Sequence, residues 1–349
     1  MLRGVVAVAF VAITSLSLFG EVAPGQICGP FPILSAPYFE DGSLDMETLV
    51  KEAEFVAECG VNGFIWAQSN DVIDLVSVDE RKASFAVLAE AFEGRNVVVA
   101  LGCQGRDAAD METLARHVEF LSGKHPSANL VIVSRPPHDA RTQQDIENYY
   151  RSLARIAKRP VIIQTYTSDK VPVPDVSLLI RLAREFPSVY GWIKEETGGA
   201  DANERMRKET SAPEIKTVFS AWGSYGWLDQ QRRFGTRGVI SERAGYADVL
   251  MHIWRALESG DAVLADTAFA QYLFVMNLKE TLPGGHLRGF NLYVLKKRGI
   301  FKNFVSRDYA DESKTPGRWK LEKLSFTPDE IAAIEARLER LKPFFNADR

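Results

Sequence analysis

The sequence has little of what disulfide frameworks and metal centres require. It holds three cysteines in 349 residues, and no two of them form a Cys-x-x-Cys pair. An odd number of cysteines without such a pair predicts neither a disulfide framework nor a zinc site. The five histidines are scattered, without His-x-x-His or Asp-x-Asp spacing beside them. We therefore expect no metal and no cofactor.

Long basic runs are also missing. The net charge is −4 at pH 7, which disfavours binding to the phosphate backbone of a nucleic acid. No Gly-x-Gly-x-x-Gly motif follows the first apolar run, so a dinucleotide-binding open sheet is disfavoured as well. With 46% hydrophobic and 25% charged residues, the composition is that of an ordinary globular protein.

The N-terminus differs from the rest of the chain. Arg3 is followed by an uncharged apolar stretch that reaches Gly20, which is typical of a secretory signal peptide. Ala23 offers a poor cleavage site because Glu21 lies two residues before it. We expect residues 1–28 to be a signal or N-terminal extension and the protein to be exported. An uncleaved membrane anchor and a buried first element of the fold are the alternatives.

Between residues 29 and 260 apolar runs alternate with helical patterns. The predicted strands lie at 31–36, 63–67, 96–102, 129–134, 160–166, 189–194, 217–221 and 238–241. They are apolar throughout, as strands buried on both faces should be, and the repeated strand–helix order predicts a parallel sheet. Eight units predict an α/β fold, a closed (β/α)₈ TIM barrel over 29–260, with an open doubly wound sheet as the alternative.

Beyond residue 260 the patterns become helical. Helices are predicted over 262–280, 289–297 and 328–341, and the polar stretch 306–320 is predicted to be an exposed loop. We therefore expect residues 261–349 to form a C-terminal helical region.

One strand of the predicted barrel ends in a cation. Lys194 follows the apolar run Tyr190–Ile193, at the strand end where barrel active sites lie. Burying a charge there costs free energy unless the charge has a functional role, and apolar surroundings lower the pKa of an amine. A partly neutral lysine can attack a ketone and form a Schiff base. The alternative is a lysine paired with Glu195 or Glu196 at the barrel rim. For imine chemistry we expect both glutamates to point outward or to hold the following loop, because a carboxylate in contact with Lys194 would raise the pKa of the amine.

Other strand ends supply polar candidates. Tyr166 and Gln164 share a face of the fifth strand because strand side chains alternate, and the tyrosine could move protons. Ser69 and Asn70 follow the second strand, where a hydroxyl and exposed N–H groups suit a small carboxylate. A tyrosine at a barrel rim and an ordinary turn are equally compatible with these patterns.

Several stretches resemble one family. GPFPILSAPYFEDGSLD (29–45), GFIWAQSNDVIDLVSVDERK (63–82), YGWIKEETGG (190–199) and GTRGVIS (235–241) are similar to segments of the dihydrodipicolinate synthase/N-acetylneuraminate lyase family of class I aldolases. The resemblance implies a TIM barrel, a Schiff-base role for Lys194 and a substrate-binding place for Ile240. It also implies a homo-oligomer, commonly a tetramer.

The sequence departs from the family pattern around the expected site. By resemblance, Ser69 carries the relay hydroxyl and Asn70 takes the carboxylate-binding place. Gln164 stands where the family has its strand-five tyrosine, with Tyr166 two residues on. The partner tyrosine expected after Pro136 and Pro137 is absent, and Asp169-Lys170 stands where an arginine is expected.

The resemblance and its departures lead to two functional expectations. The first is a Schiff-base-forming aldolase or lyase that acts on a pyruvate-like 2-oxo acid but does not make dihydrodipicolinate. The second is a catalytically impaired family member that binds a small carboxylate ligand.

Overall fold

The computed structural model of the chain describes residues 27–68, 73–105, 107–166, 171–198, 201–221, 223–280, 282, 287–315 and 317–346. The predicted signal segment, up to residue 26, lies outside these ranges. No helix within them is both long and apolar enough to cross a bilayer.

Eight parallel strands form the centre of the molecule. They are β1 (Gly29–Pro30), β2 (Gly63–Trp66), β3 (Val98–Gly102), β4 (Asn129–Ser134), β5 (Val161–Gln164), β6 (Trp192–Glu195), β7 (Thr217–Ser220) and β8 (Gly238–Val239). Each strand pairs in parallel with the next along the chain from β2 to β8, and β8 pairs with β1. The ring is closed by hydrogen bonds from Leu34 N to Ile65 O at 2.8 Å and from Ile65 N to Pro32 O at 2.9 Å. The predicted (β/α)₈ barrel is confirmed.

Helices separate the strands and cover the outside of the barrel. They are α1 (Met46–Glu58), α2 (Val78–Ala91), α3 (Ala108–Lys124), α4 (Gln143–Ile156), α5 (Val176–Glu185), α6 (Asp201–Ser211), α7 (Gly223–Phe234) and α8 (Ala247–Glu258). Their starts follow local sequence: Ser77 forms a capping box with Glu80 at α2, and Asp45 caps α1.

The first strand differs from its prediction. An apolar strand was expected over 31–36, but the regular pairing of β1 is limited to Gly29–Pro30, and Ile33 makes isolated bridges to Ile65 and Arg243. Pro32 lies in the expected strand and has no N–H to donate, so a continuous ladder cannot form through it. The three cysteines are buried, and none of them forms a disulfide.

The barrel interior is apolar up to the level of the candidate site. Side chains from all eight strand segments fill it, among them Ile162, Trp192, Phe219 and Ile240. Successive residues of a strand face opposite sides, so the inward position after Trp192 is Lys194, and the inward position after Ile162 is Gln164. The interior cluster thus forms the floor beneath these polar side chains.

The C-terminal region is helical only in part, so its prediction needs a correction. The helices α9 (Ala262–Met276), α10 (Leu287–Lys297) and α11 (Pro328–Leu338) are present, and Thr327 caps the last of them in a capping box. The predicted loop over 306–320 instead contains β9 (Val305–Tyr309), which pairs antiparallel with β10 (Trp319–Lys323).

A buried arginine attaches this hairpin to the barrel. Arg307 forms hydrogen bonds with the carbonyl oxygens of Gly42 and Leu75 and an ion pair with Glu80 at 2.6 Å. Its guanidinium lies 4.7 Å from the ring centre of Tyr38 and 4.3 Å from that of Trp319. The hairpin therefore packs on the loops that leave β1 and β2, at the carboxyl ends of the strands.

Candidate active site

Lys194 is the most deeply buried cation at the carboxyl end of the barrel among the residues described. It lies on β6, its exposed fraction is 0%, and Trp192 lies one inward position below it. Its Nζ atom makes no hydrogen bond within the described part of the chain. The predicted buried lysine is confirmed, although β6 ends one residue after it, at Glu195.

Burial lowers the pKa of the Lys194 amine. Loss of hydration is the largest cause, because it disfavours the ammonium form. The neighbouring Glu196 carboxylate opposes this effect, while the positive charges of Arg243 and Arg135 add to it. The amine is thus neutral for a larger fraction of the time than that of an exposed lysine.

Glu196 lies closer to Lys194 than the sequence analysis expected. Its Oε2 atom is 3.6 Å from Nζ, and its side chain is 25% exposed. Gln164 donates a short hydrogen bond from Nε2 to the same oxygen. The rim pairing that was the alternative for Lys194 is therefore present, although the net effect on the amine pKa is still a decrease.

Thr165 fixes the backbone at this point. The N–H of Glu196 donates to the Thr165 hydroxyl at 2.7 Å, and that hydroxyl lies 3.3 Å from the carbonyl oxygen of Lys194. These contacts join the ends of β5 and β6, so the direction of the Glu196 side chain is set by two neighbouring strands.

Glu195 faces away from the amine and holds the following loop. Its carboxylate accepts a hydrogen bond from the N–H of Thr197 at 2.7 Å and pairs with Arg205 at 3.3 Å. Glu209 lies beside the same arginine, and burial followed by repulsion from Glu195 raises its pKa well above the ordinary value. The expectation that both glutamates avoid Lys194 thus fits Glu195 and is wrong for Glu196.

A row of polar side chains extends from Glu196 to the end of β2, across the carboxyl end of the barrel. Gln68, which is fully buried, donates from Nε2 to Oε1 of Gln164 at 3.3 Å. The line Gln68–Gln164–Glu196–Lys194 therefore spans the strand ends of β2, β5 and β6. The glutamine at the family's tyrosine position is a member of this line.

The backbone at the end of β2 is held in an unusual conformation. Ala67 has a φ of 65°, which is uncommon for a residue with a Cβ. Its carbonyl accepts a hydrogen bond from Gln104 at 2.8 Å, and a Cβ at Gly102 would lie 1.9 Å from that oxygen. Strained backbone of this kind concentrates at functional sites. Ser69 and Asn70, which follow directly, lie outside the described residues.

Arg135 and Tyr166 form a second polar group at the ends of β4 and β5. The guanidinium of Arg135 lies 4.5 Å from the ring centre of Tyr166, and its Nη2 is 2.5 Å from Nε2 of His138. Burial, together with the charge of Arg135, lowers the pKa of His138. Within the described ranges the Tyr166 hydroxyl makes no hydrogen bond with Lys194 or Glu196, so its proton-transfer role stays a prediction.

Ile240 lies below the polar groups rather than among them. It is fully buried in the interior cluster with Trp192 and Ile162, and its N–H donates to Ser220 O at 2.9 Å. Its substrate-binding role also stays a prediction.

No group of three or more His, Cys, Asp or Glu side chains that could hold a metal occurs in the part of the chain that the structure describes.

Neither Gln68 nor Arg243 was predicted as a site residue, and Glu196 was named only in the alternative, as a rim partner of Lys194. A signal for Glu196 was present, since it lies two positions after Lys194 and the alternation of strand side chains places both on one face. Gln68 ends its strand as Gln164 does, but Arg243 comes near the lysine only through closure of the barrel.

Comparisons with known proteins identify the family. Residues 26–283 match the Dihydrodipicolinate synthetase family. The chain belongs to this family. Its members are lyases of the class I aldolase type, which confirms the resemblance seen in the sequence.

Individual proteins resemble the chain at identities of 14% to 28%. The 4-hydroxy-tetrahydrodipicolinate synthase of Ralstonia nicotianae is 28% identical over 251 residues, 72% of this chain and 81% of that protein. A solved dihydrodipicolinate synthase from Rhodopseudomonas palustris has a TM-score of 0.71 at 20% identity and covers 92% of this chain and 99% of its own. A catalytic lysine mutant of the Ruminococcus gnavus sialic acid aldolase has a TM-score of 0.73 at 14% identity. The match covers 92% of this chain and 99% of the aldolase chain.

Proposed function

We propose that the protein is a Schiff-base-forming lyase that uses Lys194 to bind a pyruvate-like 2-oxo acid. The observation that carries the proposal is a fully buried lysine with a lowered pKa at the end of β6, within the stretch that resembles the family's Schiff-base motif. A neutral amine is the form that attacks a ketone carbonyl. The barrel places this amine at the end where active sites of this fold lie.

The charges around the lysine suit a substrate that carries a carboxylate. Arg135 is 3% exposed, and its Nε atom has no hydrogen-bond partner among the described residues. Arg243 is 4% exposed and acts on the same amine. A buried cation is costly unless an anion or a hydrogen-bond acceptor offsets it, and a 2-oxo acid supplies such an anion.

The substrate differs, in this proposal, from that of the synthases named among the relatives. The family tyrosine is replaced by Gln164, and the arginine expected after it is replaced by Asp169-Lys170. An impaired family member that only binds a small carboxylate is the second candidate, and the absent tyrosines favour it. Assembly into a homo-oligomer is proposed on the family resemblance alone.

Trapping with borohydride tests the proposal. The protein is incubated with a panel of 2-oxo acids that includes pyruvate and 2-oxobutanoate, reduced, and weighed by intact mass spectrometry. We expect one adduct per chain with at least one acid, and none with Lys194→Ala. If no acid is trapped on the wild type but a carboxylate still binds in calorimetry, the binding candidate replaces the lyase.

Export is a separate proposal. It rests on Arg3 and the apolar stretch behind it, and on the family match beginning at residue 26, after that stretch. N-terminal sequencing of protein from the native host should find a start near residue 24. A chain that begins at Met1 in a soluble cytoplasmic fraction would exclude export.

A further inference from the structure

Proton transfer in this site needs a group other than the family's tyrosine. Once a 2-oxo acid has formed an iminium with Lys194, a proton must leave C3 before a carbon–carbon or carbon–oxygen bond can change. The group that removes it has to lie beside the lysine nitrogen and has to be able to gain and lose a proton. Gln164, at the tyrosine position, has an amide side chain and cannot do so.

Glu196 is the described group that meets both requirements. Its Oε2 lies 3.6 Å from Nζ of Lys194, within reach of a carbon two bonds from that nitrogen. The other charged side chains that act on the amine are Arg243 and Arg135. Arginine stays protonated and cannot accept a proton.

The surroundings orient Glu196 for this task. Gln164 donates to the oxygen that faces the lysine, Gln68 holds Gln164, and Thr165 holds the backbone N–H. With 25% of its side chain exposed, the carboxylate can also exchange a proton with solvent. The hydrogen-bonded Glu196 carboxylate therefore lies where a base could remove the C3 proton.

We propose that Glu196 is the general base and acid of the reaction, oriented by Gln164, and that this pair replaces the family's tyrosine. This inference rests on the proposed function of Lys194. The Glu196 carboxylate takes a proton from C3 of the iminium. The C–H electron pair becomes the C2–C3 double bond, and the C2–N π electrons return to nitrogen. The products are a neutral enamine and a protonated Glu196, which returns its proton to carbon in the reverse step.

Hydrogen exchange on a simple 2-oxo acid isolates this step from any second substrate. The full chain is incubated with pyruvate or 2-oxobutanoate in D₂O, and loss of the C3 protons is followed by proton NMR. Borohydride trapping of the same mixtures reports iminium formation separately. We expect Glu196→Gln to lower the exchange rate by roughly 10²- to 10⁴-fold, the scale of a lost acid–base group, and to keep the adduct on Lys194.

Two further variants separate a chemical role from a structural one. Glu196→Asp keeps a carboxylate and should restore part of the exchange. Glu204→Gln removes a carboxylate from the exposed Glu204–Lys208 pair on α6 and should exchange at the wild-type rate.

Each contrary result has a distinct meaning. Wild-type exchange in Glu196→Gln would overturn the proposal, and so would a parallel loss of trapping, which would make Glu196 a residue that positions the lysine. A wild-type protein that is trapped by no acid of the panel would instead refute the function proposed for Lys194.

Discussion

The Nζ atom of Lys194 lies 3.6 Å from Oε2 of Glu196, yet the pKa of the lysine is lowered. A carboxylate at this distance favours the ammonium form, but the loss of hydration in the apolar barrel has the larger effect. The two opposing effects give an amine that can be neutral next to a group that can take a proton. This combination is what imine chemistry requires.

The charge of Arg243 should affect the pH dependence of trapping. The charged groups that act on the Lys194 amine are Glu196, Arg243 and Arg135, and both arginines lower its pKa. In Arg243→Met one positive charge is lost, so the lysine pKa rises and less neutral amine is present at a given pH. The midpoint of the trapping rate should therefore move to higher pH, as measured by initial rates of adduct formation across a pH series.

A control for this variant lies before β8, whereas Arg243 follows that strand. Arg237 precedes β8, its side chain is 56% exposed, and it is 3.9 Å from Glu258. Arg237→Met removes the same charge far from the site and should leave the midpoint in place. An unchanged or lower midpoint in Arg243→Met would contradict the electrostatic explanation.

Tyr166 should contribute less to proton transfer than Glu196. Its ring packs under Arg135 and near His138, and within the described ranges its hydroxyl forms no hydrogen bond with Lys194. Tyr166→Phe should lower the C3 exchange rate by less than about tenfold, below the range of a lost acid–base group. A loss as large as that of Glu196→Gln would assign the proton to the tyrosine, as the sequence pattern first suggested.

Dihydrodipicolinate synthesis should be weak. The positions at which the family resemblance expects a tyrosine and an arginine carry Gln164 and Asp169-Lys170. We expect a coupled assay with pyruvate and aspartate semialdehyde to give little or no product while pyruvate is still trapped. Robust turnover in that assay would show that the substituted site accepts the synthase substrates.

The C-terminal hairpin should depend on Arg307. This side chain is 2% exposed, pairs with Glu80 and bonds to two backbone carbonyls of the barrel. Arg307→Met leaves these acceptors without their donor and should lower the free energy of unfolding by roughly 3 kcal/mol in urea denaturation. Lys323→Met, which removes an exposed pair with Glu40 from the same hairpin, should change it by less than about 0.5 kcal/mol. Equal effects of the two variants would contradict this role.

The Arg307–Glu80 pair should also make stability depend on acid. Burial raises the pKa of Glu80, but hydrogen bonds from Arg307 and from the N–H of Ser77 outweigh it, so the net pKa is lowered. A carboxylate whose pKa is lower in the folded than in the unfolded state stabilises the fold at pH values above its unfolded-state pKa. This stabilisation is lost as the pH falls through the folded-state pKa. The difference between wild type and Arg307→Met should therefore shrink at acidic pH.

The sequence predicted what local patterns determine. The alternation of strands and helices and the buried strand that carries Lys194 follow from short stretches of sequence. The C-terminal hairpin could not be predicted in this way, because its polar strands are held by the contacts of Arg307 with Gly42 and Leu75, far away along the chain. The approach of Arg243 to Lys194 likewise arises only when the barrel closes.

The central claim is that Lys194 is the nucleophile, and peptide mapping of the reduced adduct tests it most directly. Protein trapped with pyruvate or 2-oxobutanoate is digested, and the modified lysine is located by tandem mass spectrometry. We predict that the adduct lies on Lys194 alone, and that Lys194→Arg forms none because a guanidinium stays protonated. An adduct on a different lysine, or one that persists in Lys194→Arg, would contradict the account.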